Sequence, residues 1–222
     1  MINYLHYLTH RPERGWDPIS LEGALAYDAL EAGHGVTRQA LVSRLEDRLG
    51  RLEGKTVLDL GGGPGHYTAE FAARGASVTW FDVSATYAEI AKSNCQARGV
   101  SPRFVIGYID DVARAGQTFD LIFARLCWYY AYDEPRLARE VVKALKPNGL
   151  AYIETPTLDW NRGDSRLGRL RSRLNAVMGL KIGHPFSPPG RAASLFRRQK
   201  GVSVEEGLAR PGHDQVFIRK LS

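Results

Sequence analysis

The chain has 222 residues, of which 44% are hydrophobic and 24% charged, with a formal net charge of +6. These proportions exclude a disordered or fibrous chain and favour one folded domain, large enough to bury a core without disulfide or metal staples. The two cysteines, Cys95 and Cys127, lack paired spacing, and no apolar run approaches 18 residues, so we expect a cytoplasmic protein without a disulfide framework, zinc ribbon, secretion signal or membrane span.

Residues 1–54 precede the first predicted strand and favour two or three helices. Thr37 is a predicted N-cap for the last of these helices. Apolar residues follow it at four-residue spacing and face one side of the helix, namely Leu41, Leu45 and Leu49. We expect this segment to form a helical cap on the domain of residues 55–222, or a surface for self-association.

A short apolar strand, residues 56–60, runs into a glycine-rich turn and then a helix. Glycines permit positive φ and close approach of a ligand to the backbone, and the N-terminus of the following helix offers free N–H groups. A dinucleotide fingerprint would need glycine as the sixth residue of the turn. That residue is His66 when counted from Gly61 and Thr68 when counted from Gly63, so the pattern disfavours NAD without excluding it.

Strands and helices alternate along the rest of the chain. The predicted strands are residues 77–82, 103–107, 119–124, 149–155, 202–208 and 215–221. The predicted helices are residues 66–74, 85–98, 134–145 and 191–200. This alternation is typical of βαβ units, and it predicts a parallel sheet with helices on both faces.

The alternation is interrupted by an insertion, residues 157–189, rich in Gly, Pro and Arg. Residues 157–200 carry ten Lys or Arg against two Asp, a local net charge of +8. Apolar residues recur within the insertion at spacings of three and four, which predicts an amphipathic helix: Leu167, Leu170, Leu174 and Val177. We interpret the insertion as a substrate lid, and its charge fits a solvated face, an anionic substrate or a membrane surface.

Four landmarks in order resemble the class I S-adenosylmethionine-dependent methyltransferases, and the resemblance covers most of the chain after residue 55. They are acid-x-Gly-x-Gly-x-Gly at residues 59–65, a second strand ending in an acid at residues 78–82, a fourth strand at residues 119–124, and a Lys-Pro-Asn-Gly turn into a fifth strand at residues 146–155. The resemblance implies an α/β, Rossmann-like fold with a seven-stranded, mostly parallel sheet of order 3-2-1-4-5-7-6, whose last strand is antiparallel.

The resemblance also implies S-adenosyl-L-methionine as the cofactor. Its methionine part would lie on the turn, whose matching residues are Asp59, Gly61, Gly62, Gly63 and Gly65. Asp59 would bond the ammonium group or the backbone of the turn. Arg125, just past the fourth strand, matches a position whose backbone commonly touches the methionine end.

The nucleoside part would lie against the ends of the second and third strands. Asp82, followed by Val83, can accept hydrogen bonds from both ribose hydroxyls. After the third strand the family often has Gly-Asp-Ala, but here Tyr108 stands in the place of the acid. We therefore assign the adenine contact to the backbone of Ile109 and to Asp110.

Aromatic residues follow the fourth predicted strand and would lie near the transferred methyl group. Aromatic faces can stabilise a sulfonium charge by cation–π attraction or can flank the acceptor. We assign Tyr129 and Tyr132 to the substrate pocket and Trp128 and Tyr130 to packing.

A general base is needed only when the acceptor loses a proton. His184, where the predicted lid rejoins the fold, is the first candidate for that base. His6 and His10, in the N-terminal segment, come next and are also assigned to the substrate side.

The sequence therefore predicts a metal-independent enzyme that methylates a small metabolite at O, N or C by aligning donor and acceptor and excluding water. No Asn-Pro-Pro-Tyr or Asp-Pro-Pro-Tyr motif and no aromatic RNA-binding appendage is visible, so we expect no nucleic-acid partner. Monomer and homodimer stay open. The alternatives are a nucleic-acid or membrane-surface binding protein on the same fold, and an NAD-dependent oxidoreductase.

Overall fold

A computed structural model of the chain describes residues 7–163, 170, 186–207 and 211–222. Its α-helices are α1 (Leu21–Ala32), α2 (Gly35–Leu49), α3 (His66–Ala73), α4 (Ala85–Ala97), α5 (Glu134–Ala144) and α6 (Arg191–Arg197). Its strands are β1 (Thr56–Leu60), β2 (Ser77–Asp82), β3 (Arg103–Ile106), β4 (Phe119–Arg125), β5 (Leu145–Pro156), β6 (Val202–Glu206) and β7 (His213–Lys220). The strands predicted after residue 55 and the helices predicted over residues 66–74, 85–98, 134–145 and 191–200 are confirmed, with ends shifted by up to four residues. The helix predicted within the insertion stays a prediction, since nearly all of it lies outside the described residues.

The seven strands form one sheet of order β3-β2-β1-β4-β5-β7-β6. Strand β1 lies between β2 and β4 and is parallel to both, whereas β7 is antiparallel to β5 and β6. This order confirms the predicted class I methyltransferase fold. It also places the carboxyl ends of β1, β2 and β4 side by side at one edge, where open α/β sheets bind their ligands.

Alternate residues of the strands enter two cores, one on each face of the sheet. One face packs against α5 and α6, and its buried residues include Leu58, Leu60, Ile122, Leu137, Val141 and Phe196. The other packs against α2 and α3, and its buried residues include Val57, Leu121, Phe123, Leu45, Phe71 and Tyr152. Because both faces are covered, the central strands are mostly apolar, which is why they were recognisable in the sequence.

Strand β5 begins at Leu145, four residues earlier than predicted, because its pairing with β4 is irregular. The register changes between Phe119 and Leu121, and the turn that carries Asn148 and Gly149 accommodates the change. Asn148 has a φ of 62°, and a Cβ on Gly149 would lie 2.8 and 3.0 Å from two backbone oxygens. The Asn-Gly pair is therefore required by the backbone path.

The N-terminal helices cover the α3 side of the sheet, and one prediction about them is wrong. Helix α2 begins at Gly35, not after Thr37, because the amide of Arg38 already donates to the carbonyl of His34 at 2.9 Å. The predicted apolar face is confirmed, with Leu41 and Leu45 buried and Leu49 packed against the same core. No helix among the described residues is both long and apolar enough to cross a bilayer. Most of the predicted lid lies outside the described residues.

Candidate functional site

The glycine turn after β1 is held against the neighbouring strand β2. The amides of Gly61 and Gly62 donate to the carbonyl of Phe81 at 2.7 and 3.2 Å. The indole N–H of Trp80 donates to the carbonyl of Gly63 at 3.0 Å. Gly61 and Gly63 have φ values of 74° and 49°, a region that is costly for residues with a Cβ. The turn thus has a defined shape at the carboxyl edge of the sheet.

Two glycines of the turn are required by close packing within the protein. A Cβ on Gly61 would lie 2.4 Å from the Cβ of Cys127, which follows β4. A Cβ on Gly62 would lie 2.3 Å from the ring of Trp80. Both distances are far shorter than a van der Waals contact. Glycine is therefore required at these two positions by packing within the protein, independently of any ligand.

The other two glycines differ from each other in what surrounds them. Gly65 begins α3 with a φ of 80°, and a Cβ there would lie 2.7 Å from the Cβ of Ala91. A Cβ on Gly63 would meet only a ring carbon of Tyr27, at 3.9 Å. Gly63 therefore leaves a space next to its backbone, bordered by the ring of Tyr27, and we expect a ligand to approach the turn there.

Asp82, the last residue of β2, lies next to this open space. Its two carboxylate oxygens accept hydrogen bonds from the amides of Gly63 and Ser84, each at 3.0 Å. The side chain is buried, and Val83 beside it is half-buried. Burial raises the pKa of Asp82 to about 6, although the hydrogen bonds from Ser84, Gly63 and Val83 oppose that shift. The turn and this carboxylate are therefore joined directly, as the sequence predicts for a single binding site.

Asp59 lies within β1 and is 2% exposed. The hydroxyl of Thr68 in α3 donates to its carboxylate at 2.5 Å. Burial raises the pKa of Asp59 to about 7. The hydrogen bond from Thr68 opposes this shift, and the negative charge of Asp82 adds to it. Asp59 thus ties β1 to α3 in the structure, and its predicted contact with a ligand ammonium group stays a prediction.

The loop after β3 uses its acid for structure. Both carboxylate oxygens of Asp110 accept the amide of Tyr132 at 3.0 Å, and one also accepts the amide of Asp133 at 2.9 Å. Ile109 is buried in the core on the α5 side. The amide hydrogen bonds show that Asp110 holds the start of α5, so its predicted adenine contact rests on the loop backbone and stays a prediction.

Arg125, at the end of β4, lies in a buried ion pair network. Its guanidinium lies 3.2 Å from the carboxylate of Glu31 in α1 and 3.6 Å from that of Glu154 in β5. Glu154 also accepts the hydroxyl of Tyr152 at 2.7 Å. The side chain of Arg125 therefore connects α1 to the sheet, and only its backbone is left for the contact that the sequence predicts.

Arg38, in the first turns of α2, is a candidate binding residue that lies outside the predicted motifs. It is 7% exposed and donates to the carbonyl of Glu31 at 3.0 Å, while its buried Nε–H has no hydrogen-bond partner among the described residues. A buried guanidinium with a spare donor is well suited to bind a carboxylate. One signal was available, because Arg38 precedes Leu41 and Leu45 by three and seven residues and so shares their buried face.

The predicted substrate residues fall into two groups. Tyr132 lies on the β3 side, where its ring packs edge-on against those of Tyr7 and Tyr108 at centroid distances of 5.3 and 5.4 Å. His10 belongs to the same group, since its carbonyl accepts the hydroxyl of Tyr108 and its ring contacts that of Trp16. The structure thus brings Tyr132 and His10 together beside the predicted adenine loop.

Tyr129 lies apart from that group. It is buried and its ring packs against those of Tyr130 and Phe186 at 4.2 and 5.1 Å. The core prediction is confirmed for Trp128, which is 1% exposed, and wrong for Tyr130, which is 47% exposed although its ring packs against that of Tyr129. His6 and His184 lie outside the described residues.

A cavity of about 400 Å³ opens elsewhere, at the amino ends of β2 and β3. Its lining includes Thr79, Arg103 and Gln117, and no residue of the glycine turn takes part. Among the described residues, no cluster of three or more His, Cys, Asp or Glu side chains is arranged to hold a metal ion. The glycine turn and Asp82 are thus the best-supported ligand site in the described part of the chain.

Comparisons with known proteins agree with the geometry. Residues 34–199 match the family model described as "Methyltransferase domain". The chain is 30% identical over 134 residues to the biotin biosynthesis bifunctional protein BioHC of Cellvibrio japonicus, covering 60% of this chain and 26% of that protein. It is 33% identical over 104 residues to a ubiquinone biosynthesis O-methyltransferase of Rhizobium etli, covering 47% of this chain and 42% of that enzyme. The matches thus span less than half the length of either relative.

A solved structure provides an independent comparison of the fold. The N-methyltransferase NodS from Bradyrhizobium japonicum, in complex with S-adenosyl-L-homocysteine, superposes with a TM-score of 0.60 at 16% identity. The superposition covers 83% of this chain and 87% of that chain. At this level of identity the likeness concerns the fold alone.

Proposed function

The chain belongs to the S-adenosylmethionine-dependent methyltransferase family, and we propose that it transfers a methyl group from S-adenosyl-L-methionine to O, N or C of a small metabolite. The observation that carries this proposal is the open space above Gly63, with the buried carboxylate of Asp82 beside it. An NAD-dependent oxidoreductase is not supported by the family match, and the glycine spacing already disfavoured it.

The residues at the site fit the cofactor in three respects. The backbone at Gly63 is open to a ligand, Asp82 offers a buried hydrogen-bond acceptor, and Arg38 holds a spare buried donor. These match the methionine part that would lie on the turn, two ribose hydroxyls and an amino-acid carboxylate in turn. When bound, the cofactor supplies a methyl group already activated by a sulfonium.

The work left to the chain is binding and orientation. Asp82 accepts the ribose hydroxyls, the turn at Gly63 approaches the ligand with its backbone, and Arg38 binds the carboxylate end. Holding donor and acceptor in line is where such a site gains most of its rate, since a preorganised geometry replaces a bimolecular encounter. Related evidence comes from NodS, whose structure contains the demethylated cofactor in the same fold.

The acceptor is proposed to lie beyond the ends of β4 and β5, where Tyr129 is one wall. Burial raises the pKa of Tyr129, so its hydroxyl stays neutral near pH 7. We propose His184 as the base for an acceptor that must lose a proton, with Tyr132 and His10 as further contacts. The net charge of +8 in residues 157–200 favours an acceptor with a carboxylate or phosphate.

Two measurements test the proposal. Calorimetry should detect binding of S-adenosyl-L-homocysteine, and labelled methyl transfer should be found with a panel of small phenols, amines and acids. DNA, RNA and anionic vesicles serve as competing acceptors and partners. If no binding is detected at millimolar S-adenosyl-L-homocysteine, the proposed methyltransferase function is refuted. Nucleic-acid binding that weakens steeply with salt would favour the alternative, a nucleic-acid binding protein on the same fold.

We expect the affinity for S-adenosyl-L-homocysteine to depend on pH through Asp82. Burial raises the pKa of this carboxyl to about 6 in the free protein. Ribose hydroxyls that donate to the charged form lower that pKa on binding, so a proton is released near pH 6. The affinity should fall about tenfold between pH 7.5 and pH 5. Calorimetry in two buffers of different ionisation enthalpy measures both quantities.

The same pKa shift has the opposite sign for folding of the free protein. Because the pKa of Asp82 is raised, its contribution to stability is full below its ordinary value of 3.8 and is lost as the pH rises through about 6. Asp59, with a pKa near 7, acts in the same direction.

For ligand binding, Asp82→Asn should abolish the pH dependence of the affinity. An unchanged pH profile in that variant would assign the pH dependence to another group.

A further inference from the structure

The family match begins at residue 34, yet an acid upstream of it touches the proposed cofactor site. One carboxylate oxygen of Asp17 accepts the hydroxyl of Ser84 at 3.0 Å and the amide of Thr86 at 2.8 Å. Its other oxygen accepts the amide of Ile19 at 3.1 Å. Asp17 therefore has both oxygens engaged, and its bonds to Ser84 and Thr86 hold the turn after β2 and the first residues of α4.

That turn is the one that carries Asp82. The amide of Ser84 donates to Asp82, and the hydroxyl oxygen of Ser84 accepts the amide of Tyr87 at 3.0 Å, which caps α4. Ser84 is completely buried. The two acids thus hold the same serine from opposite sides, Asp82 through its amide and Asp17 through its hydroxyl.

Asp17 is itself held by a wider set of contacts. The N-terminal segment (residues 7–19) also contacts the loop after β3, because the rings of Trp16 and Tyr108 stack at 5.9 Å with an angle of 24°. At the start of this segment, the hydroxyl of Tyr7 donates to the carboxylate of Asp111 at 2.5 Å. Strands β2 and β3 are neighbours, so this segment joins the two loops between which the nucleoside would lie.

We propose that Asp17 is a positioning residue for the cofactor site, which fixes the Ser84–Thr86 turn so that the carboxylate of Asp82 is presented to the ribose hydroxyls. The inference rests on the proposed function and deepens it, since it makes the N-terminal segment part of the nucleoside site. Removing the carboxylate leaves a buried hydroxyl and a backbone amide without their acceptor, and the turn then loses its fixed position.

The test compares Asp17→Ala with Asp17→Asn and with Asp47→Ala, which alters an exposed acid in α2. The probe is S-adenosyl-L-homocysteine, measured by calorimetry. We expect its affinity to fall roughly tenfold in Asp17→Ala and about threefold in Asp17→Asn, whose amide oxygen can still accept from the turn, with no change in Asp47→Ala.

A second readout separates positioning from general loss of stability. Adenosine and 2′-deoxyadenosine are used to displace the probe, and the ratio of their affinities reports how well the hydroxyls are held. The ratio should approach one in Asp17→Ala if the residue acts through Asp82. An affinity for S-adenosyl-L-homocysteine within twofold of the unmodified protein, or a weakened affinity with the ratio intact, would overturn the inference.

The outcomes distinguish this inference from the proposed function. If the unmodified protein binds no S-adenosyl-L-homocysteine, the proposed function fails and this inference fails with it. If the unmodified protein binds and the Asp17 variants bind equally well, only the inference fails. Should Asp17→Ala not fold, Asp17→Asn keeps the side-chain shape and carries the test with both readouts.

Discussion

Asp82→Ala is expected to weaken the binding of S-adenosyl-L-homocysteine about 100-fold. A hydrogen bond to a charged group contributes about 1.5–3 kcal/mol, and a loss of 1.4 kcal/mol is a tenfold change in affinity. The carboxylate of Asp82 would accept two ribose hydroxyls, and it already accepts the amides of Gly63 and Ser84. The substitution therefore removes the ligand contact and loosens the turn in one step. Calorimetry at about pH 7.5 measures the effect.

Two variants make this result specific to the carboxylate. Asp82→Asn keeps the shape but replaces one acceptor by an amide group, so its affinity should fall about tenfold. Asp47→Ala removes an exposed acid far along α2 and should bind as the unmodified protein does. An affinity of Asp82→Ala within about threefold of the unmodified protein, with the thermal transition retained, would remove Asp82 from the site.

The sheet could be predicted from the sequence because most of its strands are short, largely apolar and bounded by turns. Strands buried on both faces leave a continuous apolar signal, and the acid at the end of β2 marks where the ligand edge begins. The start of β5 was misplaced because its first residues form an irregular pairing around Asn148 and Gly149. The local composition indicates a turn at these residues, but it does not show that β5 already begins at Leu145, before the turn.

The candidate site could be predicted from the sequence only in part. The glycine turn and Asp82 belong to a contiguous motif, so their spacing could be recognised directly. Arg38 lies outside that motif and was recognisable only as a charged residue on the buried face of its helix, whereas Asp17 acts through partners distant in sequence, and its contact with Thr86 joins residues 69 positions apart. Asp110 illustrates the converse, since its position suggested a ligand contact while its carboxylate holds the backbone of Tyr132 and Asp133.

Gly61→Ala and Gly63→Ala are expected to separate folding from binding within one turn. At Gly61 the left-handed conformation costs about 1–2 kcal/mol and the overlap with Cys127 about 1–3 kcal/mol more. We expect a total loss of roughly 3 kcal/mol and a melting temperature about 6–12 °C lower. At Gly63 only the conformational cost applies, because a Cβ there would lie 3.9 Å from Tyr27.

Gly63→Ala should therefore melt only about 2–8 °C below the unmodified protein, a smaller loss than at Gly61. Its new methyl group would project into the open space where the cofactor approaches the backbone, so affinity for S-adenosyl-L-homocysteine should fall about 10- to 100-fold. Differential scanning calorimetry with and without the ligand measures both properties in each variant. Gly61→Ala that melts normally would contradict the close packing against Cys127. Gly63→Ala that binds normally would mean that the ligand lies elsewhere, because the space above Gly63 is the feature on which the binding site depends.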